Sequence, residues 1–123
     1  MKILIIGGTG VLSTDIVLRS LECGYNVSVL NRGHHVSEIP EGVRIIKADI
    51  RNVEDVSRKI GEECFDVIVD FLSYKENDLK TSFGFFKGKC TQYIFISSAC
   101  VFRRSSDDGI LLEDSPKPNT DLP

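Results

Sequence analysis

Short unbroken apolar runs alternate along this chain with longer stretches whose apolar residues recur every three or four positions. The first run, residues 2–6, is apolar at Ile3, Leu4, Ile5 and Ile6, the pattern of a strand buried on both faces of a parallel sheet. From about Gly10 to Cys23, Leu12, Ile16, Val17 and Leu21 return at helical spacing among Asp15, Arg19 and Glu22, which predicts a helix buried along that stripe. Gly24 fits the left-handed position just past its end. Val27, Val29 and Leu30 predict a second strand, broken by Gly33, and residues 43–46 a third, after a turn at Pro40 to Gly42. Asn52 fits the cap of the next helix with Asp55 three residues on, Val53, Val56 and Ile60 its buried stripe and Gly61 its end. Residues 66–70 predict a fourth strand. A helix from about Asn77 to Lys87 should bury Leu79, Phe83 and Phe86 and leave Phe85 facing elsewhere; residues 93–97 predict strand five.

Strands separated by helices predict an α/β fold with a parallel sheet and right-handed crossovers, over about residues 1–102. After Phe102 the periodicity stops, and residues 103–123 read as an irregular arm.

Composition narrows this picture without redirecting it. An apolar fraction of 41%, a charged fraction of 27% and 123 residues describe one ordinary globular domain. A net charge of -3 gives no basic footprint, so no nucleic-acid partner is expected. Cys23, Cys64, Cys90 and Cys100 lie far apart with no C-x-x-C pair, which predicts reduced thiols and no metal site. The N-terminus enters a five-residue strand directly, and no apolar run reaches spanning length. The expectation is a cytoplasmic chain with no membrane partner.

The candidate chemistry gathers where the strands end. Gly7-Gly8-Thr9-Gly10-Val11-Leu12-Ser13 follows a buried strand and opens a helix. Glycines there permit a sharp turn and close approach of a pyrophosphate, and the first helical turn supplies N–H donors and positive dipole. Gly7, Thr9, Gly10, Val11 and Leu12 are thus candidate cofactor contacts. Ser13 stands where a third glycine is usual, which should weaken helix–strand packing without removing the site. Where a dinucleotide site often carries an acidic residue, the second strand ends in Asn31-Arg32. Asn31 can bond a ribose or phosphate oxygen, and Arg32 offers a planar fork for a phosphate, favouring NADP over NAD; the alternative is a solvated turn arginine. His34 and His35 either add to that pocket or are simply exposed. Asp49 and Ile50 end strand three where an adenine would lie. Phe71, Leu72 and Ser73 leave strand four at the carboxyl edge, with Asp70 before them. Either aspartate also suits a cap or turn role. Ser97-Ser98 ends strand five at the same edge.

These pieces, with Ala48-Asp49-Ile50-Arg51, residues 65–70, residues 93–102 and Glu113-Asp114-Ser115-Pro116, resemble the N-terminal part of the extended short-chain dehydrogenase/reductase family, the NAD(P)-dependent epimerase/dehydratase group. The resemblance implies a three-layer NAD(P)-binding Rossmann fold with strand order 3-2-1-4-5, truncated after strand five. It also implies hydride transfer between a nicotinamide cofactor and a nucleotide-sugar-like substrate. By resemblance Ser98 takes the place of the catalytic Ser/Thr. Its Tyr and Lys partners and the C-terminal substrate domain are absent, so the 123 residues are expected to bind cofactor without turnover. The other reading is a non-catalytic NADP(H)-binding sensor or regulatory module. Self-association through the helix bearing Phe85, or through an open strand-five edge, is a further expectation.

Overall fold

Strand β1 (Lys2–Ile6) is the middle strand of the sheet, and the chain winds away from it twice. It first passes through α1 (Val11–Glu22), β2 (Asn26–Asn31) and β3 (Arg44–Lys47) on one side. It then returns through α2 (Val53–Ile60) to β4 (Phe65–Asp70), α3 (Glu76–Phe86) and β5 (Cys90–Phe95) on the other. All pairings are parallel, in the order β3-β2-β1-β4-β5. This computed structural model describes residues 1–34, 37, 39–98, 102 and 112–114. His35, Cys100 and most of the 103–123 arm, including Ser115-Pro116, lie outside them.

Alternation along β1 divides the core. Leu4 and Ile6 face one side with Leu30, Ile68, Val56, Ile60 and Phe86; Ile3 and Ile5 face the other with Val27, Val29, Val69 and Val17. α2 and α3 therefore cover one face and α1 the other, making three layers. Each fully buried aliphatic side chain here stabilises the fold by about 1.5–3 kcal/mol. Gly24 and Gly61 end α1 and α2 at φ 72° and 58°, and the Asn52 Oδ1 accepts the Asp55 N–H at 3.1 Å, as the sequence pattern predicts. At the amino edge Glu63 accepts from Arg44 at 2.6 Å and Lys2 at 2.9 Å, tying β1, β3 and the α2–β4 loop together.

Several side chains depart from the predicted stripes. The inward face of α1 is Ser13, Val17 and Ser20; Leu12, one residue before Ser13 and so about 100° around the helix from it, is 68% exposed. Val53, in the first turn of α2, is also exposed. On α3 the innermost pair is Ser82 and Phe86, so the buried face is turned from the predicted one. Phe83 is exposed and meets the Tyr93 ring edge-on, whereas Phe85 packs against the core beside Phe86. β5 ends at Phe95 rather than Ser97: the Ile96 N–H makes a last bond to the Asp70 carbonyl, and the chain then leaves the sheet.

Candidate functional site

Every strand hands its chain to a loop at one edge of the sheet, and backbone bonds carry the ladder a residue further there. Gly7 N–H reaches the Leu30 carbonyl at 2.9 Å, Phe71 N–H that of Ile6 at 3.1 Å, and Ala48 N–H that of Asn31 at 2.8 Å. The loops are thus fixed on both sides of β1, where the winding reverses and ligands of such sheets bind.

The glycine turn sits at that point. Gly7 has φ 109°, open only to glycine without strain, and Leu72 covers it closely. A Cβ on Gly8 would lie 2.5 Å from Val29 Cγ1, so the missing side chain lets the turn settle onto β2. Ser13 is no weakness. Buried to 2% exposure, its hydroxyl accepts the Gly10 N–H at 2.8 Å and returns a bond to the Gly10 carbonyl at 3.1 Å, clasping the helix start. The first helical bond runs from Thr14 N–H to the Gly10 carbonyl, which leaves the N–H groups of Val11, Leu12 and Ser13 ahead of the ladder.

A trench crosses this turn in two chambers that share Gly7, Thr9, Leu72 and Tyr74. The smaller, about 260 Å³, lies toward β2 and β3. It brings together the predicted Asn31, Arg32, Asp49 and Ile50, and adds Gly33, His34 and Arg51. Asn31 Oδ1 accepts the Gly33 N–H at 2.9 Å, while its buried Nδ2 has no partner among the described residues. Asp49 Oδ1 accepts the Arg51 N–H at 3.0 Å in a turn that swings Arg51 back over the chamber. Arg51 also reaches Asp78 through Nε at 3.7 Å. Arg32, Arg51 and His34 thus line this space with one acidic residue, Asp49.

The larger chamber, about 920 Å³, lies toward β4 and β5. It holds the predicted Gly10, Val11, Leu12, Phe71, Ser73 and Ser98, with Lys75 and Phe95 in addition. The exposed side chains of Val11 and Leu12 line it, so the same geometry that removed Leu12 from the core gives this chamber an apolar wall. Ser73 does not offer its hydroxyl to the trench: it donates inward to Asp70 Oδ2 at 2.6 Å. Asp70 itself, fully buried, serves as the loop's anchor; its Oδ1 accepts the N–H groups of Leu72 at 2.8 Å and Ser73 at 3.1 Å. Tyr93 donates to the same carboxylate at 2.6 Å; burial, then the bond to Asp70, pushes its phenol well above its ordinary range.

Tyr74, Arg51 and Lys75 were not among the residues the sequence pattern singled out for this site. Arg51 carried a usable signal, standing directly after Asp49-Ile50 in the loop that follows β3. Tyr74, exposed at the junction of the chambers, carried none beyond its place after Ser73.

Among known proteins, the model of the NAD dependent epimerase/dehydratase family matches residues 3–88. A bifunctional UDP-glucose 4-epimerase and UDP-xylose 4-epimerase 1 from Pisum sativum is 28% identical over 82% of this chain and 37% of its own length. A crystal structure of a UDP-glucose 4-epimerase superposes with a TM-score of 0.82 at 21% identity, covering 98% of this chain and 42% of that one. The UDP-glucose 4-epimerase of Thermus thermophilus in complex with NAD superposes with a TM-score of 0.72 at 20% identity, covering 96% and 45%. The chain spans less than half the length of each.

Proposed function

We propose, from the premise that this chain belongs to the NAD dependent epimerase/dehydratase family, that it binds a nicotinamide dinucleotide along the trench and prefers NADP to NAD. The reading rests on one observation above the rest: the buried Asn31 Nδ2, unpartnered among the described residues, belongs to a residue lining the chamber that Arg32 and Arg51 also line. A buried donor left without an acceptor costs about 1–3 kcal/mol, and a ligand oxygen would remove that cost. Two guanidinium forks suit a phosphate ester better than a bare ribose.

In this reading the smaller chamber takes the adenosine end, with Asp49 and Ile50 at the base. Gly7, Thr9 and Gly10 with the first turn of α1 receive the pyrophosphate. Val11, Leu12, Phe71 and Leu72 would exclude water from the far end, and Ser98, which lines that chamber, would bond a substrate oxygen there. The dinucleotide would supply a hydride acceptor or donor there. Action on a nucleotide sugar, as named for the Pisum sativum relative, belongs to the same reading. Of the catalytic side chains that the resemblance implies, Ser98 lies among these residues.

Calorimetric titration with NADP+ and NAD+ tests this. NADP+ should bind at least about tenfold tighter. Equal affinities would remove the role given to Arg32 and Arg51, and no binding of either would remove the reading.

A further inference from the structure

The trench wall nearest β4 is held by a relay of hydroxyl groups that reaches it from behind. Asp70 is fully buried at the end of β4, and the donors around its carboxylate are neutral: the Leu72 and Ser73 N–H groups, the Ser73 hydroxyl and the Tyr93 phenol. A buried carboxylate depends strongly on such donors, since water cannot replace them. The phenol proton goes to Asp70, so the Ser82 hydroxyl, 2.7 Å away on α3, donates to the phenol oxygen. The Phe83 ring meets Tyr93 edge-on at 5.4 Å and holds it in this place. At the other end of the relay, Leu72 lies close enough to Gly7 that a Cβ there would stand 3.0 Å from Leu72 Cγ. The chain of contact therefore runs from α3 and β5, through Tyr93 and Asp70, to the glycine turn.

On the reading that the trench binds a dinucleotide, we propose that Tyr93 is a positioning residue for that ligand: its hydroxyl locks the Asp70 carboxylate, which fixes Leu72 and Ser73 as the wall between the chambers. Leu72 lines both chambers, whereas Ser73 lines the larger and not the smaller. Unlocking the wall should therefore cost a ligand that fills both chambers more than ADP, which would reach from the smaller chamber only as far as the glycine turn. With the phenol hydroxyl removed, Oδ2 keeps only the Ser73 hydroxyl, and the carboxylate can turn away from the two N–H groups. Burial raises the Tyr93 phenol above its ordinary range, so it remains a donor throughout neutral pH.

The test uses Tyr93→Phe, which keeps the ring, and Ser82→Ala, which removes only the second hydroxyl. Amide hydrogen exchange is read by NMR, and NADP+ and ADP are titrated as probes. In Tyr93→Phe the Leu72 and Ser73 amides should exchange at least about fivefold faster relative to those of β1, and NADP+ should weaken by roughly three- to tenfold. ADP should stay within about twofold, and Ser82→Ala should give the same pattern at smaller size. Unchanged exchange at Leu72 and Ser73 would overturn the proposal. So would equal weakening of ADP and NADP+ with faster exchange throughout, which marks a general structural role. If the wild-type chain binds neither NADP+ nor NAD+, the dinucleotide reading fails by itself, and the exchange rates alone decide whether Tyr93 locks the wall.

Discussion

The two chambers of the trench adjoin at four residues yet are built by different means. The smaller is made of backbone turns and cations: Gly33 at φ 82°, the Asp49 turn, and Arg32 and Arg51 at the rim. The larger is made of apolar side chains at the helix start and of a loop that leans on a buried carboxylate. On the proposed reading, charge in the first decides which anion is held, and it acts through groups already in place. Shape in the second depends on side chains 23 residues apart in sequence, Asp70 and Tyr93, meeting correctly. Specificity and positioning are thus separable in this fold, and substitutions can be chosen that reach both chambers, one, or neither.

Gly8→Ala should reach both. The added methyl meets both Val29 methyl groups, at 2.5 and 2.7 Å, and pushes the glycine turn off β2. Overpacking of this kind costs about 1–3 kcal/mol of stability, read by urea unfolding. A turn displaced by about 1 Å should lower affinity for either dinucleotide about 100-fold. Adding Val29→Ala should restore part of both losses; no restoration would mean that the turn is not seated on β2 as described.

Arg32→Ala combined with Arg51→Ala reaches only the smaller chamber. NADP+ affinity should fall by roughly 10- to 100-fold while NAD+ affinity stays within about twofold. An equal fall for both would assign these arginines to the pyrophosphate instead. Leu12→Ser reaches only the larger chamber. It should weaken NADP+ and NAD+ alike by about threefold and leave ADP unchanged, because less apolar surface is buried by the far end of the ligand.

Glu63→Gln, at the opposite edge, should leave binding untouched and change stability slightly. Bonds from Arg44, then Lys2, hold the Glu63 carboxyl below its ordinary value of 4.5. A lowered folded value stabilises the fold above pH 4.5 and loses that contribution as pH falls through the folded value. The wild-type advantage over Glu63→Gln, less than about 1 kcal/mol at pH 7, should therefore shrink in urea titrations only below pH 4.5.

Much of this was legible in the sequence, for physical reasons. Continuous apolar runs and a strand–glycine–helix order are local signals, so the sheet, its order and the glycine turn followed from short windows and family resemblance. Helix faces were read less well. Leu12 and Phe83 fit a helical stripe, but their neighbours Ser13 and Ser82 are the ones buried, because spacing gives a stripe's period and not which side of the helix meets the sheet. Ser13 looked like a departure from a glycine pattern, although a hydroxyl three residues into a helix can clasp its start as a side-chain cap does. The Asp70–Tyr93–Ser82 relay was hidden because each member reads locally as something else: a turn aspartate, a strand aromatic and a helix serine. Only the parallel pairing of β4 with β5 brings them together.

The central claim is that one dinucleotide lies across both chambers. Mapping amide chemical shifts during titration with NADP+ tests it most directly on a 13.7 kDa chain. Shifts should concentrate at Gly7 to Ser13, Asn31 to His34, Leu72 to Tyr74 and Ser97-Ser98, with the amino edge around Lys2, Glu63 and Lys89 silent. Shifts confined to one chamber, or centred on the amino edge, would contradict it.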